Sequence, residues 1–528
     1  MKKALSVCIS LLLAALILAP AASLTAQAAE RVPVINIVGE REVEVWNEDG
    51  THYTPTNERA DAITDEAIRE LTPVFVKAFL TNDYGEWSRL ALEKLTPIYD
   101  EIRPAPDGTL PAHTGPAVEA DMPYTAETLP APGAVNYYYG YCWDFRRSPL
   151  EEVESLHTFV EAVKAKSGAD KVILMSRCGG TSLVASYLYK YGTQDVAKII
   201  FASSTLLGTP YADAILSGNV QVPAAAFYQY AAGGDLLGGL DESLSKVLTA
   251  MLSALTFNGG AEDTITLVLR VYNKIKDSFI APFLRSYYAI CGNYIASVDE
   301  FYEDYIDYIY PTEELKAEYA PIIARANEYH YEVQEKIASL LTEARDAGVP
   351  VYFIAFYGEA NTRPISYRSS LVGDEMCDAG LQSFGATVAE YPGTLTDDYV
   401  AEREASGFGA YISPDKQIDA STCLFPETTW FIKNMKHNFF LNDLHDFVRR
   451  IAWSDGMTVT SDPAYPQYLT VVGNHRGLAP AEAVNENDTP PVADQSKGNA
   501  AVSFFARIIA FFAKIAAWFS NLFARIGK

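Results

Sequence analysis

The chain has 528 residues, 49% hydrophobic and 20% charged, an ordinary globular balance that suits one large domain with insertions or two domains. It carries 67 acidic against 41 basic residues, a formal charge of −26. Such a surface repels nucleic acid and no basic stripe offsets it, so nucleic acid is not an expected partner; for an exported protein the acidity serves solubility.

The opening run "MKKALSVCISLLLAALILAPAASLTAQAAE" sets Lys2 and Lys3 before an apolar core and the small-residue site Ala26-Gln27-Ala28. Residues 1–28 are therefore expected to be a secretory signal peptide cut before Ala29, and the mature protein to be secreted or extracellular; a retained anchor is the alternative. Val32 to Val38 reads as a buried strand that Gly39 ends. Residues from about 51 to 130 are mixed and Pro-rich, with a helix through "AITDEAIRELTPVFVKAFL", and read as an insertion. Another strand follows in "AVNYYYGYCW", then a polar turn and a helix from Leu150 to Lys166. Lys171 to Met175 is a short buried strand, Ser176-Arg177-Cys178-Gly179-Gly180 a tight small-residue turn, and the apolar-periodic run beyond it a helix. "VAKIIFASSTLLGTP" supplies a further strand ending in Gly208-Thr209-Pro210. Strands alternating with helices predict an α/β fold with a parallel sheet over residues 29–210.

Residues 211–347 break that alternation, being nearly all helical and Tyr-rich, and read as a cap or lid. Alternation resumes over 348–476 with the apolar strand "GVPVYFIAFYG", a loop-rich stretch from Glu359 to about Ser413, a last strand in "ETTWFIKNMKH" and a final helix in "FFLNDLHDFVRRIAW". Residues 477–499 have the Pro, Asn and Asp content of a flexible linker. In the tail, 500–528, Arg507, Lys514, Asn521 and Lys528 recur every seven residues on an otherwise aromatic and aliphatic helix. That pattern fits a cationic amphipathic helix lying in a membrane interface, and its apolar runs are too short to span a bilayer. A docking helix on the protein's own body is the alternative.

The strand–turn–helix at Cys178 has the form of a nucleophile elbow, usually written G-x-S-x-G, with Cys178 where the serine stands. Small residues at Ser176, Gly179 and Gly180 meet the steric demand of that turn, and a helix N-terminus favours a thiolate. A structural cysteine is the alternative for Cys178, and Ser182, one turn into the helix, is the rival nucleophile. Such a site also needs an acid, a His and two oxyanion donors, the acid preceding the His in the chain. Asp415 after a Ser-Pro turn is the preferred acid and Asp419 the second choice; in most such turns Asp merely caps the backbone. His437, just past the last strand, is the expected base, while His445 lies inside the final helix. Oxyanion donors are expected from Gly179 and from Gly39-Glu40, although a Glu40 carboxylate facing the hole would oppose developing negative charge. Cys8 falls in the signal, leaving five cysteines, so at least one thiol stays free in any intramolecular scheme. Cys178 is the expected free thiol, and Cys377 with Cys423 the guessed pair. No CxxC pairs or His-rich tracts point to a metal, and no cofactor is expected.

The runs "PVINIVGE", "CWDFRRSPLEEVESLHTFVEAV", "KVILMSRCGGTSLVASYL" and "LLGTP" resemble, in that order, the lecithin:cholesterol acyltransferase-like α/β-hydrolases. Trp143-Asp144-Phe145-Arg146 resembles their tetrad before the helix, Thr209-Pro210 their Thr-Pro beyond the elbow, and "SPDKQIDAST" their acid loop, which on that match puts the acid at Asp415. The likeness spans about 32–210 and 345–452; the cap and tail lie outside it. It implies an α/β-hydrolase fold with a helical cap, and hydrolysis or transfer of acyl groups from lipid esters by an acyl-enzyme route. The departure is Cys178 at the family's serine, a substitution that active α/β-hydrolases of the dienelactone hydrolase type also carry. The expected enzyme is an exported esterase, lipase or acyltransferase with the triad Cys178–Asp415–His437, acting on an acyl ester at a membrane surface. The other reading is a catalytically inactive binding protein on the same fold at the cell surface.

Overall fold

The computed structural model describes residues 31–37, 45–47, 52–53, 58–100, 103–111, 114–116, 124–222, 260–287, 302–360, 371–391, 393–437, 442–472 and 477–481. The expected signal peptide, Gly39, Glu40, most of the linker and the whole tail lie outside these residues. Among the described residues no helix is long and apolar enough to cross a membrane.

In chain order the elements that frame the site begin with β1 (Val34–Ile37), α1 (Glu58–Thr81), α2 (Gly85–Leu95), β2 (Tyr138–Tyr141), α3 (Pro149–Ser167) and β3 (Val172–Cys178). Next come α4 (Gly180–Tyr191), β4 (Val196–Ser204), α5 (Pro210–Leu216), α6 (Gly260–Ile275), α7 (Ala281–Tyr287), α8 (Tyr302–Ile309), α9 (Ala320–Tyr329) and α10 (Ile337–Asp346). The chain closes with β5 (Val351–Tyr357), β6 (Thr429–Lys433), α11 (Asn442–Trp453), β7 (Tyr468–Val472) and β8 (Gly477–Pro480). The eight strands form one sheet in the order β8-β7-β6-β5-β4-β3-β1-β2. Every neighbouring pair is parallel except the β7–β8 hairpin. This is the α/β fold expected from the alternation.

Both faces of the sheet are covered, which is why its inner strands read as unbroken apolar runs. On one face Ile35, Leu174, Phe201 and Phe353 pack with α3, α4 and α10. On the other, Met175, Ile200, Ile354 and Ile432 pack with Leu444, Phe447 and Ile451 of α11. Local chemistry sets the helix limits: Ser148 accepts from the Leu150 N–H to open α3, Pro149 follows at the first helical position, and Gly168 ends it in the left-handed region.

Two boundaries differ from expectation, and one contact joins two segments. Tyr329, Val333, Ile337 and Leu341 belong to the main core, so the end of the expected 211–347 cap is the crossover layer between β4 and β5. The insertion at 51–130 packs on the cap, for Leu71, Phe75 and Trp87 of α1 and α2 share a core with Ile275, Phe279 and Phe283. Residues 477–480 are the sheet's edge strand rather than linker. The flexible composition that begins there hides a four-residue strand that needs only one partner.

Candidate active site

The elbow forms as its small residues predict. β3 runs into α4 through Cys178, whose φ of +48° lies in the left-handed region that a non-glycine residue adopts only under constraint. Thr181 Oγ1 donates to the Cys178 carbonyl at 2.7 Å and braces the turn from inside the helix. Gly179 is the N-cap of α4, so its N–H is among the amides that a helix does not pair with its own carbonyls, as an oxyanion donor requires. The other expected donors, Gly39 and Glu40, fall outside the described residues. The charge of Arg177 reaches His445 of α11, whose pKa is lowered by burial, Arg449 and Arg177 together.

Ser182 is not placed to attack. It is 1% exposed, and its hydroxyl donates to the Gly179 carbonyl at 2.6 Å, the back-bond of a serine inside a helix.

His437 stands just past β6 and is 4% exposed. Its acid is Asp374, which corrects the expectation of Asp415 or Asp419. His437 Nδ1 is 2.8 Å from Asp374 Oδ2, and the His437 N–H donates to the Asp374 carbonyl at 2.8 Å, so side chain and backbone both tie the two loops. Asp374 Oδ1 accepts from the backbone N–H groups of Met376 (3.0 Å) and Cys377 (2.8 Å). Beside the pair, Lys436 and Glu375 form a second ion pair between the same loops.

Both expected acids are held elsewhere. Asp415 meets Lys433 Nζ at 3.0 Å and accepts from the Ser413 hydroxyl at 2.6 Å, so it reaches the last residue of β6 rather than His437 beyond it. Asp419 accepts from Arg403 Nε at 2.8 Å and Tyr399 Oη at 2.9 Å. Asp374 has no local signature, because an acid in a loop-rich stretch looks like any turn Asp. A physical signal was present in Gly373: a Cβ there would sit 2.3 Å from the Cys377 carbonyl oxygen, so a side chain is excluded just where the acid's turn closes.

A fourth residue joins the cluster without any forewarning in the sequence. Ser203 Oγ lies 2.8 Å from Asp374 Oδ2 and 2.7 Å from His437 Nδ1.

Burial by itself would drive the His437 ring toward neutrality. The charges of Asp374 and Cys178 and the hydrogen bond to Asp374 outweigh it and push the pKa from 6.5 up to about 10. Nε2, on the far side of the ring from Asp374, has no hydrogen-bond partner among the described residues and is the nitrogen left for a reacting group. A histidine whose pKa is raised beside a cysteine is the pairing on which a thiol nucleophile draws.

Cys178, Cys377 and Cys423 are free thiols, which corrects the guessed Cys377–Cys423 pair. Burial, then the charges of Asp374 and Cys178, push the Cys377 thiol well up, so it stays protonated close to the triad. The Asp144–Arg146 motif is a buried two-point ion pair, with Nε–Oδ1 at 2.9 Å and Nη2–Oδ2 at 2.7 Å, that shapes the turn between β2 and α3. Thr209 caps α5 with Pro210 at its first position. Among the described residues, His157, Glu161 and Asp195 approach metal-ligand spacing, but Lys164 Nζ already meets both carboxylates, at 2.7 and 2.5 Å.

No family model matches this sequence, and no curated protein matches it.

Proposed function

We propose that this chain is an exported hydrolase-fold enzyme, a carboxylic ester hydrolase or acyltransferase, that works through Cys178, His437 and Asp374. The observation that carries the reading is Cys178 at a left-handed strand-to-helix turn, electrostatically coupled to a buried His437 that Asp374 holds at 2.8 Å.

The chemistry follows from a thiolate–imidazolium ion pair of Cys178 and His437. The Cys178 thiolate attacks the ester carbonyl, forming an S–C bond as the carbonyl π electrons move to oxygen. The N–H of Gly179 would stabilise that oxyanion. As the tetrahedral adduct collapses, the imidazolium of His437 gives its proton to the departing alkoxide; without that proton the thiolate would leave instead, being the better leaving group. The resulting thioester is attacked by water or an alcohol, His437 takes the proton of the attacking O–H, and the thiolate departs. Asp374 keeps Nδ1 protonated and the ring turned toward Cys178 throughout.

The substrate class we propose is an acyl ester with an apolar chain, consistent with the likeness to lecithin:cholesterol acyltransferase-like hydrolases and with a tail suited to a membrane interface. Aryl esters of increasing acyl length, assayed with wild type, Cys178→Ala and Cys178→Ser, test this. Activity lost in Cys178→Ala supports the reading. Activity retained in Cys178→Ala overturns it, and silence in all three together with an unreactive thiol favours the binding protein.

A further inference from the structure

We infer that Ser203 is a positioning residue of the site, whose hydroxyl fixes the plane and the proton of His437 through a three-way contact with Asp374. This inference rests on the proposed cysteine–histidine chemistry and adds a fourth member to it.

The placement begins in the sheet. β3 and β4 run in step from Ile173 opposite Lys198 to Arg177 opposite Ala202, and then Cys178 faces Ser204. Ser203 is the extra residue, a bulge at the level of the elbow, with φ of +48°. A bulge beside an active site re-aims a side chain that regular pleating would send elsewhere. A non-glycine residue held at positive φ and 1% exposed persists only where its surroundings fix it. Here they are Asp374 Oδ2 at 2.8 Å and His437 Nδ1 at 2.7 Å.

Proton accounting decides what the hydroxyl does. An ionised carboxylate only accepts, so Nδ1 carries the proton of its bond to Asp374. Ser203 then donates its own hydrogen to Oδ2 and offers a lone pair to the same N–H. With the two backbone amides on Oδ1, the carboxylate is held on both oxygens and cannot swing off the ring. The ring in turn has two acceptors on one edge, so turning it about its Cβ–Cγ bond breaks both contacts. The charged groups that raise the pKa of this ring are Asp374 and Cys178, and Ser203 acts by holding the first of them in place against it.

The test reads the thiol directly. Iodoacetamide alkylation of Cys178 is followed against pH in wild type, Ser203→Ala and Ser203→Gly, the glycine variant relieving the backbone while removing the hydroxyl. Both variants are expected to alkylate about tenfold more slowly at pH 6, and kcat to fall by a similar factor with KM unchanged, the scale of one lost hydrogen bond to a charged group. In the Asp374→Asn background the glycine substitution should add nothing further. Profiles and kcat equal to wild type overturn the role of Ser203, as does an equal loss in the Asp374→Asn background, which marks a merely structural part. A wild-type thiol that alkylates only above pH 8 overturns the ion pair itself, and the inference with it.

Discussion

Replacing Asp374 with Asn keeps the shape of the acid and removes its charge. In the native site that charge, with the one on Cys178, overrides the burial that would otherwise make His437 neutral, and carries its pKa to about 10. Without Asp374, burial acts against a weaker opponent and the pKa of the ring falls. The whole rise from 6.5 to about 10, at 1.36 kcal/mol for each pH unit, is about 5 kcal/mol; Cys178 supplies part of it, so the preference for the imidazolium lost with Asp374 is smaller than that. The tautomer is also freed, since an amide can donate to Nδ1 as readily as accept from it. A triad acid lost in this way costs roughly 10³- to 10⁴-fold in kcat. The assay is kcat on an aryl ester across pH 5 to 9, with far-ultraviolet circular dichroism to verify folding. Asp415→Asn is the control: its partner is Lys433, and a partly exposed pair contributes roughly 1 kcal/mol at most, so its kcat should stay within about threefold of wild type. An Asp374→Asn enzyme within tenfold of wild type, or a larger loss in Asp415→Asn, would refute the assignment of the acid.

Other consequences can be measured separately. Because folded His437 keeps its proton to higher pH than the unfolded chain does, its contribution to stability is complete below about pH 6.5 and is lost as pH rises toward 10. The gap in urea midpoint between wild type and His437→Gln should therefore narrow across that window; a gap that widens would contradict the pairing. Asp144→Ala breaks a buried two-point ion pair and should cost about 3–5 kcal/mol in denaturant unfolding, whereas a loss below 1 kcal/mol would mean that water reaches the pair. Gly373→Ala puts a methyl 2.3 Å from the Cys377 carbonyl oxygen and must shift the Asp374 turn, so kcat should fall while the far-ultraviolet spectrum is kept; full activity would mean that the turn can move without the acid.

The parts of the fold that could be read from sequence are those where local pattern and tertiary demand agree. Runs such as Val351–Tyr357 are apolar throughout because both faces of the strand are covered, and α3 announces itself by Ser148, Pro149 and Gly168. Cys178 and His437 were legible because an elbow and a strand end have local signatures. Asp374 was not, since its turn differs from those of Asp415 and Asp419 only in where the chain brings it. Ser203 was less legible still: a bulge is a property of two paired strands, and the sequence of β4 alone carries no register. The union of the early insertion with the cap is invisible for the same reason, because Trp87 and Phe279 meet only in space.

The most direct test of the account is to trap the acyl-enzyme. Wild-type protein mixed with an aryl ester is quenched in acid and digested with trypsin, which releases Cys178 to Lys190 as one peptide cut after Arg177. Fragment ions of that peptide locate any added acyl mass. The account predicts the acyl group as a thioester on Cys178, and none on the corresponding peptide of Cys178→Ala. An acyl group on the Ser182 hydroxyl, or turnover with no label on this peptide at all, would contradict it.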